Sequence, residues 1–425
     1  MNVVAMIVVS LICMLIRIPI ALSLALATGL YLFANGIPLC ALVQNLSTGV
    51  NSFALLAAPF YLLVGALMNT GGITDKIFGF VTAVVGHIRG ALGHANILAS
   101  MIFAGISGAA VADAAGMGSI EIKAMERNGY DTDFAVAVTG ASATIGPIIP
   151  PSIIMVIIGV SSGASIGKLF LGGIIPGILM GMGLMILVGI SSVRRNYPKG
   201  ERPTLKSIAT SFWLSFPALL TPLIIIGGTL GGIFTPTEAG AVAVLYAFIL
   251  SVFVYREIKL ADVPKVLLET MLTSGRILFI VGASLAFGWI LAYEQVPQKL
   301  TEVIVSTIHD PTLFIVICMV VFLFLGCIME ASSIVVMTLP VLVPTLAAMH
   351  IDSVHFGVLV AIAMAIGTLT PPLGLVMFIL MEITKISIER YVKALLPFLG
   401  VLVAVLFLLV FFPQLVLWIP NSVIH

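Results

Sequence analysis

The chain has 425 residues, of which 60% are hydrophobic and 9% are charged, and its formal net charge is +1. About 25% of the residues of a soluble globular domain are charged, so this composition excludes a soluble domain and predicts a polytopic membrane protein. The near-neutral charge gives no basis for nucleic-acid binding. Since no GxxxxGK[ST] loop is present, we also expect no ATP hydrolysis by this chain.

Short membrane spans are predicted at the start of the chain. Residues 3–36 are apolar but exceed the roughly 20 residues that one upright span needs, and Arg17 and Pro19 divide them into two spans. A third span is predicted over 53–72. The mixed stretch 75–90 carries charges among apolar residues, so we predict a helix that lies along the membrane surface.

An interrupted apolar segment follows at 92–125. It is apolar at both ends but contains a Gly-Ile-Ser-Gly run at 105–108 and Asp113, which predicts a re-entrant hairpin that enters and leaves on one side of the membrane. A segment broken by prolines comes next at 133–160, and a span is predicted over 169–193.

The second half shows the same kinds of segment after a basic connector. Its predicted elements are spans at 212–233, 237–255 and 266–292, a second hairpin at 311–347, a second broken segment at 355–382 and a last span at about 391–418. The predicted regions are N-terminal scaffold spans at 1–52, a first repeat at 53–193, a basic connector with a scaffold span pair at 194–265, and a second repeat at 266–418.

The two proline-containing breaks are the feature around which the chain is organised. Gly146-Pro147-Ile148-Ile149-Pro150-Pro151 is matched 221 residues later by Gly367-Thr368-Leu369-Thr370-Pro371-Pro372, and the same shift places Gly105 on Gly326. A proline pair cannot continue a helix, because two N–H donors are missing and each ring clashes with the preceding turn. Free backbone groups at membrane depth are tolerated where they line a cavity or bind an ion, so the breaks predict a transport site.

The basic connectors predict the orientation of the two halves. Loops rich in Lys and Arg stay in the cytoplasm, and both connectors lie there only if 212–233 and 237–255 form an out-and-back pair. The first hairpin then opens to the cytoplasm and the second to the opposite side. We therefore predict an all-α protein of two inverted repeats that alternate access to one midplane site. The alternative is a chance resemblance between two broken helices.

Polar residues near the hairpin tips and breaks are the candidate ligands. Hydroxyl and carbonyl oxygens suit a small cation such as Na⁺, and helix N-termini suit a carboxylate. The acidic residues nearest the tips, Asp113 and Glu330, are interpreted as binding a cation or carrying a proton. The alternative is that the hydroxyls bond to their own backbone and that the acids cap helices.

Two further patterns predict local structure. Thr235-Pro236-Thr237-Glu238 has the composition of a helix start with a capping box. The pairs Gly177 and Gly181, and Gly227 and Gly231, have the small-xxx-small spacing of close helix packing.

Several motifs together resemble a known family. The motifs are Pro59-Phe60-Tyr61-Leu62-Leu63-Val64-Gly65, Phe103-Ala104-Gly105-Ile106-Ser107-Gly108, Phe234-Thr235-Pro236-Thr237-Glu238-Ala239 and Ala365-Ile366-Gly367-Thr368-Leu369-Thr370-Pro371-Pro372. In this order they resemble the large membrane subunit of tripartite ATP-independent periplasmic (TRAP) transporters, over essentially the whole chain.

The resemblance implies secondary active transport in the bacterial inner membrane. It implies coupling to two or more Na⁺ ions, an elevator mechanism, a small membrane subunit of about four helices and a periplasmic binding protein that delivers an organic acid. The small subunit is expected to be a separate chain. The sequence of residues 107–113 resembles that of the sialic-acid members of the family more than that of the C4-dicarboxylate members. Sialic acid or a related sugar acid is therefore the favoured substrate.

The resemblance also implies the site residues. The expected Na⁺ ligands are Ser107, Ala109, Thr144, Gly146 and Pro147 in the first repeat, and Ala331, Ser332, Ser333, Gly367, Thr368 and Thr370 in the second. The expected substrate contacts are Ser107, Gly108, Asp113, Pro150, Glu330, Ser332, Thr370 and Pro371.

Two other functions remain open at this point. A stand-alone Na⁺ or H⁺ dicarboxylate symporter of the same architecture would need no binding protein. An anion channel or exporter is disfavoured, because two opposed hairpins form gates rather than an open pore.

Overall fold

The structure, a computed structural model, describes residues 1–199, 203–372 and 374–423. Within these ranges the chain is helical, with one isolated β-bridge between Arg89 and Lys199 and no strand. The helices that are long and apolar enough to cross a membrane are seven: Phe53–Thr70, Ile166–Arg194, Leu205–Thr229, Pro236–Val254, Val263–Tyr293, Ala331–Ala348 and Ile388–Phe411. The predicted all-α polytopic fold class is confirmed.

The N-terminal region contains three short helices: α1 (Val3–Leu15), α2 (Ile20–Ala34) and α3 (Cys40–Val50). The chain turns between α1 and α2 where Arg17 takes a φ of +69° and Pro19 precedes the first residue of α2. Proline fits this position because the first turn of a helix leaves its N–H groups unpaired. The sequence analysis assigned no separate helix to α3, whose polar residues break the apolar pattern.

The first half continues with eight helices: α4 (Ala57–Thr70), α5 (Ile73–Val85), α6 (Ala91–Ser107), α7 (Ala110–Gly116), α8 (Gly118–Arg127), α9 (Thr132–Ala143), α10 (Ile153–Ser162) and α11 (Ile166–Arg194). Over the predicted hairpin the chain forms α6, α7 and α8, with the tip at 108–109. Over the predicted broken segment it forms α9 and α10, separated by the nonhelical residues 144–152.

The remaining helices are α12 (Leu205–Leu230), α13 (Pro236–Ile249), α14 (Val263–Tyr293), α15 (Val296–Thr307), α16 (Pro311–Gly326), α17 (Ala331–Ala348), α18 (Ser353–Gly367), α19 (Leu375–Thr384), α20 (Ile388–Phe411) and α21 (Gln414–Val423). Helices α16 and α17 meet at a tip over 327–330, and α18 and α19 flank the second break. The predicted last span divides at Pro413, which precedes α21.

The two broken helices run through the centre of the protein. From Phe134 to the end of α9 every side chain is buried, and the same holds from Val354 to the end of α18. Both halves present a hairpin, a broken helix and a long span in the same order. The inverted relation between the halves remains a prediction.

The start of α13 is hydrogen-bonded to α4 and to the residues just before it. Thr235 and Glu238 form the predicted capping box, with the Thr235 Oγ1 accepting from Glu238 N at 3.3 Å and Glu238 Oε2 accepting from Thr235 N at 2.8 Å. Tyr61 donates to the Pro236 carbonyl at 2.6 Å, and Thr237 donates to the Phe53 carbonyl at 2.9 Å. The motif therefore holds α13 against α4.

Candidate functional site

A cavity of about 560 Å³ lies between the two hairpin tips and the two breaks. Its wall combines the first tip, the first break, the second tip, the second break and α14. The residues of these elements that line the cavity are Gly108, Ala109, Ala110, Val111, Ala112, Pro147, Glu330, Ala331, Ser332, Thr368, Leu375, Thr273 and Arg276. Five segments from both halves of the sequence thus meet at one place.

The first junction is the contact between the tip at 107–109 and the break at 144–152. The N–H of Ile153 donates to the Gly108 carbonyl at 3.4 Å, which joins the tip to the start of α10. Gly108 has a φ of +63°, and a Cβ added there would collide with the carbonyl oxygen of Pro151. On the other side of the tip, a Cβ added to Gly65 would lie 3.2 Å from the Cα of Ser107. Only glycine fits the tip position.

The side chains of Ser107 and Asp113 continue the first junction beside the tip. The Ser107 hydroxyl donates to Asp113 Oδ1, and both residues are about 2% exposed. Asp113 Oδ2 has no partner among the described residues, and it faces Gly146, where an added Cβ would collide with it. The structure thus brings Ser107, Asp113 and Gly146 together.

Side-chain hydroxyls close the loop of the first break. Thr144 is fully buried, and its Oγ1 donates to the Ala141 carbonyl at 2.6 Å. Ser152 Oγ donates to the Pro147 carbonyl at 2.5 Å and accepts from Met155 N at 3.2 Å, so it caps α10. The break is therefore a hydrogen-bonded turn rather than an unsatisfied gap.

The second junction is the contact between the tip at 327–333 and the break that follows α18. Gly326 and Gly367 lie so close that a Cβ added to Gly367 would lie 2.6 Å from the Cα of Gly326. Thr370 Oγ1 donates to the Gly367 carbonyl at 2.9 Å and lies 2.8 Å from Cys327 Sγ. Thr368 Oγ1 donates to the Ala365 carbonyl at 2.7 Å.

Glu330 is the N-cap of α17. Its carboxylate accepts from Ser332 Oγ at 2.8 Å, from Ser333 N at 3.2 Å and from Ser333 Oγ at 3.4 Å. A carboxylate at this place stabilises the helix through the free N–H groups and the macrodipole. The geometry therefore supports the capping interpretation of Glu330, although the residue also lines the cavity.

The expected site residues fall into two groups by position. Those that line the cavity are Gly108, Ala109, Pro147, Glu330, Ala331, Ser332 and Thr368. Those that do not line it are Ser107, Asp113, Thr144, Gly146, Pro150, Ser333, Gly367, Thr370 and Pro371. Pro150 is buried, and its carbonyl lies 3.7 Å from the position of a Cβ added to Gly105, whereas Pro371 is exposed.

Oxygen atoms at both junctions suit a small hard cation. The hydroxyls of Ser107, Thr144 and Thr368 each donate to an acceptor of their own repeat, so each oxygen keeps acceptor capacity for a cation, although Ser107 Oγ also accepts from Ala109 N at 3.4 Å. No group of three or more His, Cys, Asp and Glu that suits a transition metal occurs among the described residues. The donor set thus fits Na⁺ better than Zn²⁺.

Other intramembrane hydroxyls of the first repeat belong to a closed network. Asn96 Nδ2 donates to Thr139 Oγ1 at 2.7 Å, and Asn96 Oδ1 accepts from Ser142 Oγ at 2.7 Å. Ser100 Oγ donates to Ser142 Oγ at 3.0 Å. These bonds fasten α6 to α9, so Thr139 and Ser142 have a structural role.

The sequence analysis missed the α14 side of the cavity. Thr273 and Arg276 line it, and Arg276 is the only Lys or Arg between Lys265 and Lys299. A lone arginine within an apolar span was a usable signal. The Cys327 contact with Thr370 was not visible in the sequence, because it depends on how the tip meets the break.

Comparisons with known proteins agree with this architecture. Residues 7–415 match the family model "Tripartite ATP-independent periplasmic transporter, DctM component". The sialic acid TRAP transporter permease protein SiaT of Haemophilus influenzae is 41% identical over 415 residues, covering 97% of this chain and 67% of that protein. The sialic acid TRAP transporter large permease protein SiaM of Vibrio cholerae is 40% identical over 404 residues, covering 95% of each chain.

A solved structure shows the same fold at low sequence identity. The YdaH transporter of Alcanivorax borkumensis, described as having an unusual topology, matches with a TM-score of 0.64 and 13% identity, covering 90% of this chain and 88% of that one. The family match and the apolar helices place the protein in the membrane. The chain therefore belongs to the DctM component family of tripartite ATP-independent periplasmic transporters and is a multi-pass protein of the bacterial inner membrane.

Proposed function

We propose that this chain imports an organic acid, coupled to Na⁺, and that sialic acid or a related sugar acid is its substrate. The observation that carries the proposal is the single cavity between both hairpin tips and both breaks. Its volume of about 560 Å³ lies within the range of small-molecule sites, which is about 300–1,000 Å³. The names of the two similar permeases from H. influenzae and V. cholerae support the choice of sugar acid.

Sodium is proposed to bind beside the cavity at the two junctions. In the first, Ser107, Ala109, Thr144, Gly146 and Pro147 offer hydroxyl or backbone oxygens. In the second, the ligands are drawn from Ala331, Ser332, Ser333, Gly367, Thr368 and Thr370. Since the tips contact the breaks, an ion that bridges the two orders both walls of the cavity. Sodium then favours acid binding, and by linkage the acid favours sodium binding to the same extent.

Movement is proposed to follow an elevator scheme. The hairpins and broken helices form the moving body, which slides against the remaining helices. A ligand shifts such an equilibrium only through its differential affinity for the two states. Filling both junctions and the cavity neutralises exposed polar groups at the tips, which lowers the cost of passing the apolar barrier.

Two partners are proposed to complete the transporter. One is a small membrane subunit of about four helices. The other is a periplasmic binding protein that delivers the acid. The description of the matching family as one component of a tripartite transporter supports both partners.

Uptake by proteoliposomes tests the proposal. The vesicles hold this chain and its small subunit, and uptake of labelled sialic acid is measured with and without an inward Na⁺ gradient and the binding protein. We expect uptake that requires both. Uptake with Na⁺ alone would instead support a stand-alone symporter, and single-channel currents would support a channel. Absence of sialic acid uptake, with uptake of a C4-dicarboxylate, would overturn the substrate but keep the transport class.

A further inference from the structure

Arg276 is a charged residue of the cavity wall that no part of the proposed ion sites uses. It lies 13 residues into α14, which corresponds to about 20 Å along the helix axis. The next basic residues in the sequence are Lys265 and Lys299, so Arg276 is separated from both connectors. Insertion of an arginine within a span is unfavourable, and such residues usually face a cavity or a partner.

Arg276 forms no ion pair with any other described residue. The ion pairs of the described residues join Lys76 with Glu257, Arg195 with Asp131 and Arg390 with Asp133, and Arg276 takes part in none of them. The only other charged residue of the cavity wall is Glu330, whose carboxylate already accepts three hydrogen bonds at the start of α17. The cavity thus presents one uncommitted guanidinium.

The position of Arg276 sets it apart from the tips and breaks. Helix α14 packs against α2, α3 and α4 and against α17 of the second hairpin. Arg276 therefore lies on a different helix from the expected Na⁺ ligands. An anionic ligand in the cavity would be held by the hairpins on one side and by α14 on the other.

We propose that Arg276 binds the carboxylate group of the transported acid. A guanidinium offers five donors in a planar fork that matches a carboxylate in a bidentate manner. The guanidinium is exposed rather than packed against protein, so it is accessible to a ligand, and the rest of the cavity wall is mainly apolar, with Ala112, Ile277, Met364 and Leu375 among its residues. Arg276 thereby makes the site specific for acids over neutral sugars. This inference rests on the proposed function.

Direct binding to the purified membrane subunits tests the inference without the binding protein, which itself selects among ligands. Titration calorimetry in saturating Na⁺ compares N-acetylneuraminic acid with its methyl ester, which lacks the negative charge. The variants are Arg276→Gln and Arg276→Lys, with Lys265→Gln as the matched control, since it removes a basic residue of α14 that does not line the cavity. The unfolding temperature without ligand shows whether each variant is folded.

The expected result is a change in discrimination. Wild type binds the acid at least about tenfold more tightly than the ester, in line with the loss of a charge-assisted hydrogen bond. In Arg276→Gln the affinity for the acid falls about tenfold or more and the affinity for the ester stays the same. The affinity of Arg276→Lys for the acid lies between those of wild type and Arg276→Gln, because lysine keeps the positive charge but lacks the planar guanidinium that binds in a bidentate manner. Lys265→Gln behaves as wild type.

An unchanged ratio of acid to ester affinity in a folded Arg276→Gln protein would overturn the inference. Failure of the proposed substrate gives a different pattern, because wild type then binds neither sugar ligand. In that case succinate and its dimethyl ester are compared in the same variants, and the same ratio decides the role of Arg276. Binding of no acid by wild type in Na⁺ overturns both proposals.

Discussion

The two junctions are built from the same motif, but they differ in how closely tip and break are joined. At the first, Gly108 contacts Pro151, Ile153 donates to the Gly108 carbonyl, and Ser152 ties the loop to Pro147. Thr144 and Pro150 are buried there. The first break is thus closed by backbone and side-chain bonds together.

The second junction is more exposed, although its break is also closed by hydrogen bonds, from Val376 N to the Thr368 carbonyl at 3.1 Å and from Thr370 Oγ1 to the Gly367 carbonyl at 2.9 Å. Pro371 and Pro372 are exposed, Ala331 and Thr370 are half-buried, and α19 begins after Gly374 without a side-chain cap. Its main tip-to-break contacts are the Gly326–Gly367 approach and the Cys327–Thr370 pair. Ser152 has no counterpart 221 residues later, where the sequence has Leu373.

The difference shows how one motif serves two roles. A site with alternating access needs one barrier that is closed while the other admits ligand. A less exposed first junction and a more exposed second junction fit that requirement, and we expect the second to respond more strongly to ions.

The largest effect is expected for Gly108→Ala at the first junction. The added methyl group collides with Pro151, so the tip must move away from the break. The control is Gly163→Ala, since Gly163 has a φ of +74° and no atom within 4 Å of an added Cβ. Backbone strain from the left-handed conformation lowers the unfolding free energy of both variants by about 1 kcal/mol. Overpacking lowers it by about a further 1–3 kcal/mol in Gly108→Ala alone. Thermal unfolding and uptake are measured, and equal losses in the two variants would contradict the account.

The second junction is tested by its hydroxyls. Thr368→Ala and Ser332→Ala each remove an expected Na⁺ ligand, and we expect the half-saturating Na⁺ concentration for uptake to rise about tenfold, with little change in protein yield. Thr384→Ala is the control, because Thr384 makes the same kind of bond, to the Leu380 carbonyl at 2.7 Å, away from the cavity. A normal Na⁺ response in both site variants would remove the ion assignment.

The cap at the first break is expected to have a smaller effect. Ser152→Ala removes the bonds to Pro147 and Met155 from a fully buried position, and we expect a loss of about 1–2 kcal/mol in unfolding free energy. Ser165→Ala, at the exposed cap of α11, should cost about 0.5–1 kcal/mol. The order of the two losses in denaturant unfolding is the test, and the reverse order would show that the first break is not held closed by Ser152.

The smallest effect on stability is expected for Asp131, which lies outside the membrane at the start of α9. Hydrogen bonds from Tyr197 and Arg195 lower the pKa of Asp131 below its usual value of 3.8. A lowered pKa means that this stabilisation is present at neutral pH and is lost as the pH falls below about 4.

The matching measurement compares Asp131→Asn with wild type. Asp131 is 60% exposed, so the loss at neutral pH is expected to be less than about 1 kcal/mol and to shrink as the pH falls below about 4. Asp75→Asn is the control, since it removes an exposed carboxylate that forms no ion pair with the described residues. A loss that persists unchanged at pH 3 would exclude the ion pair as its cause.

Much of the architecture could be predicted from the sequence because it depends on local chemistry. Proline pairs lack donors, so both breaks were visible, and the Thr235–Glu238 capping box was confirmed. Spacing of glycines was less informative. Gly177 and Gly181 pack closely on Ile149 and Met101, whereas an added Cβ at Gly227 would meet no atom within 4 Å. Only the fold decides which face of a helix is covered.

The composition of the site was harder to predict. Ala331 and Ser332 line the cavity and Pro150 does not, while Arg276 was not predicted from the sequence. Such placements depend on how segments hundreds of residues apart meet. Periodicity and motifs do not carry that information. The role of the expected residues as ligands stays a prediction.

The central claim is that the cavity between the two junctions is the transport site. Cysteine labelling tests it in a background where the four native cysteines are replaced by alanine and uptake is retained. Ala331→Cys places a thiol in the cavity wall, and Val320→Cys places one at an exposed position of α16 outside the cavity. We predict that Na⁺ together with the transported acid slows maleimide labelling at Ala331→Cys and leaves Val320→Cys unchanged. Equal labelling of Ala331→Cys with and without both ligands, in a protein that transports normally, would contradict the claim.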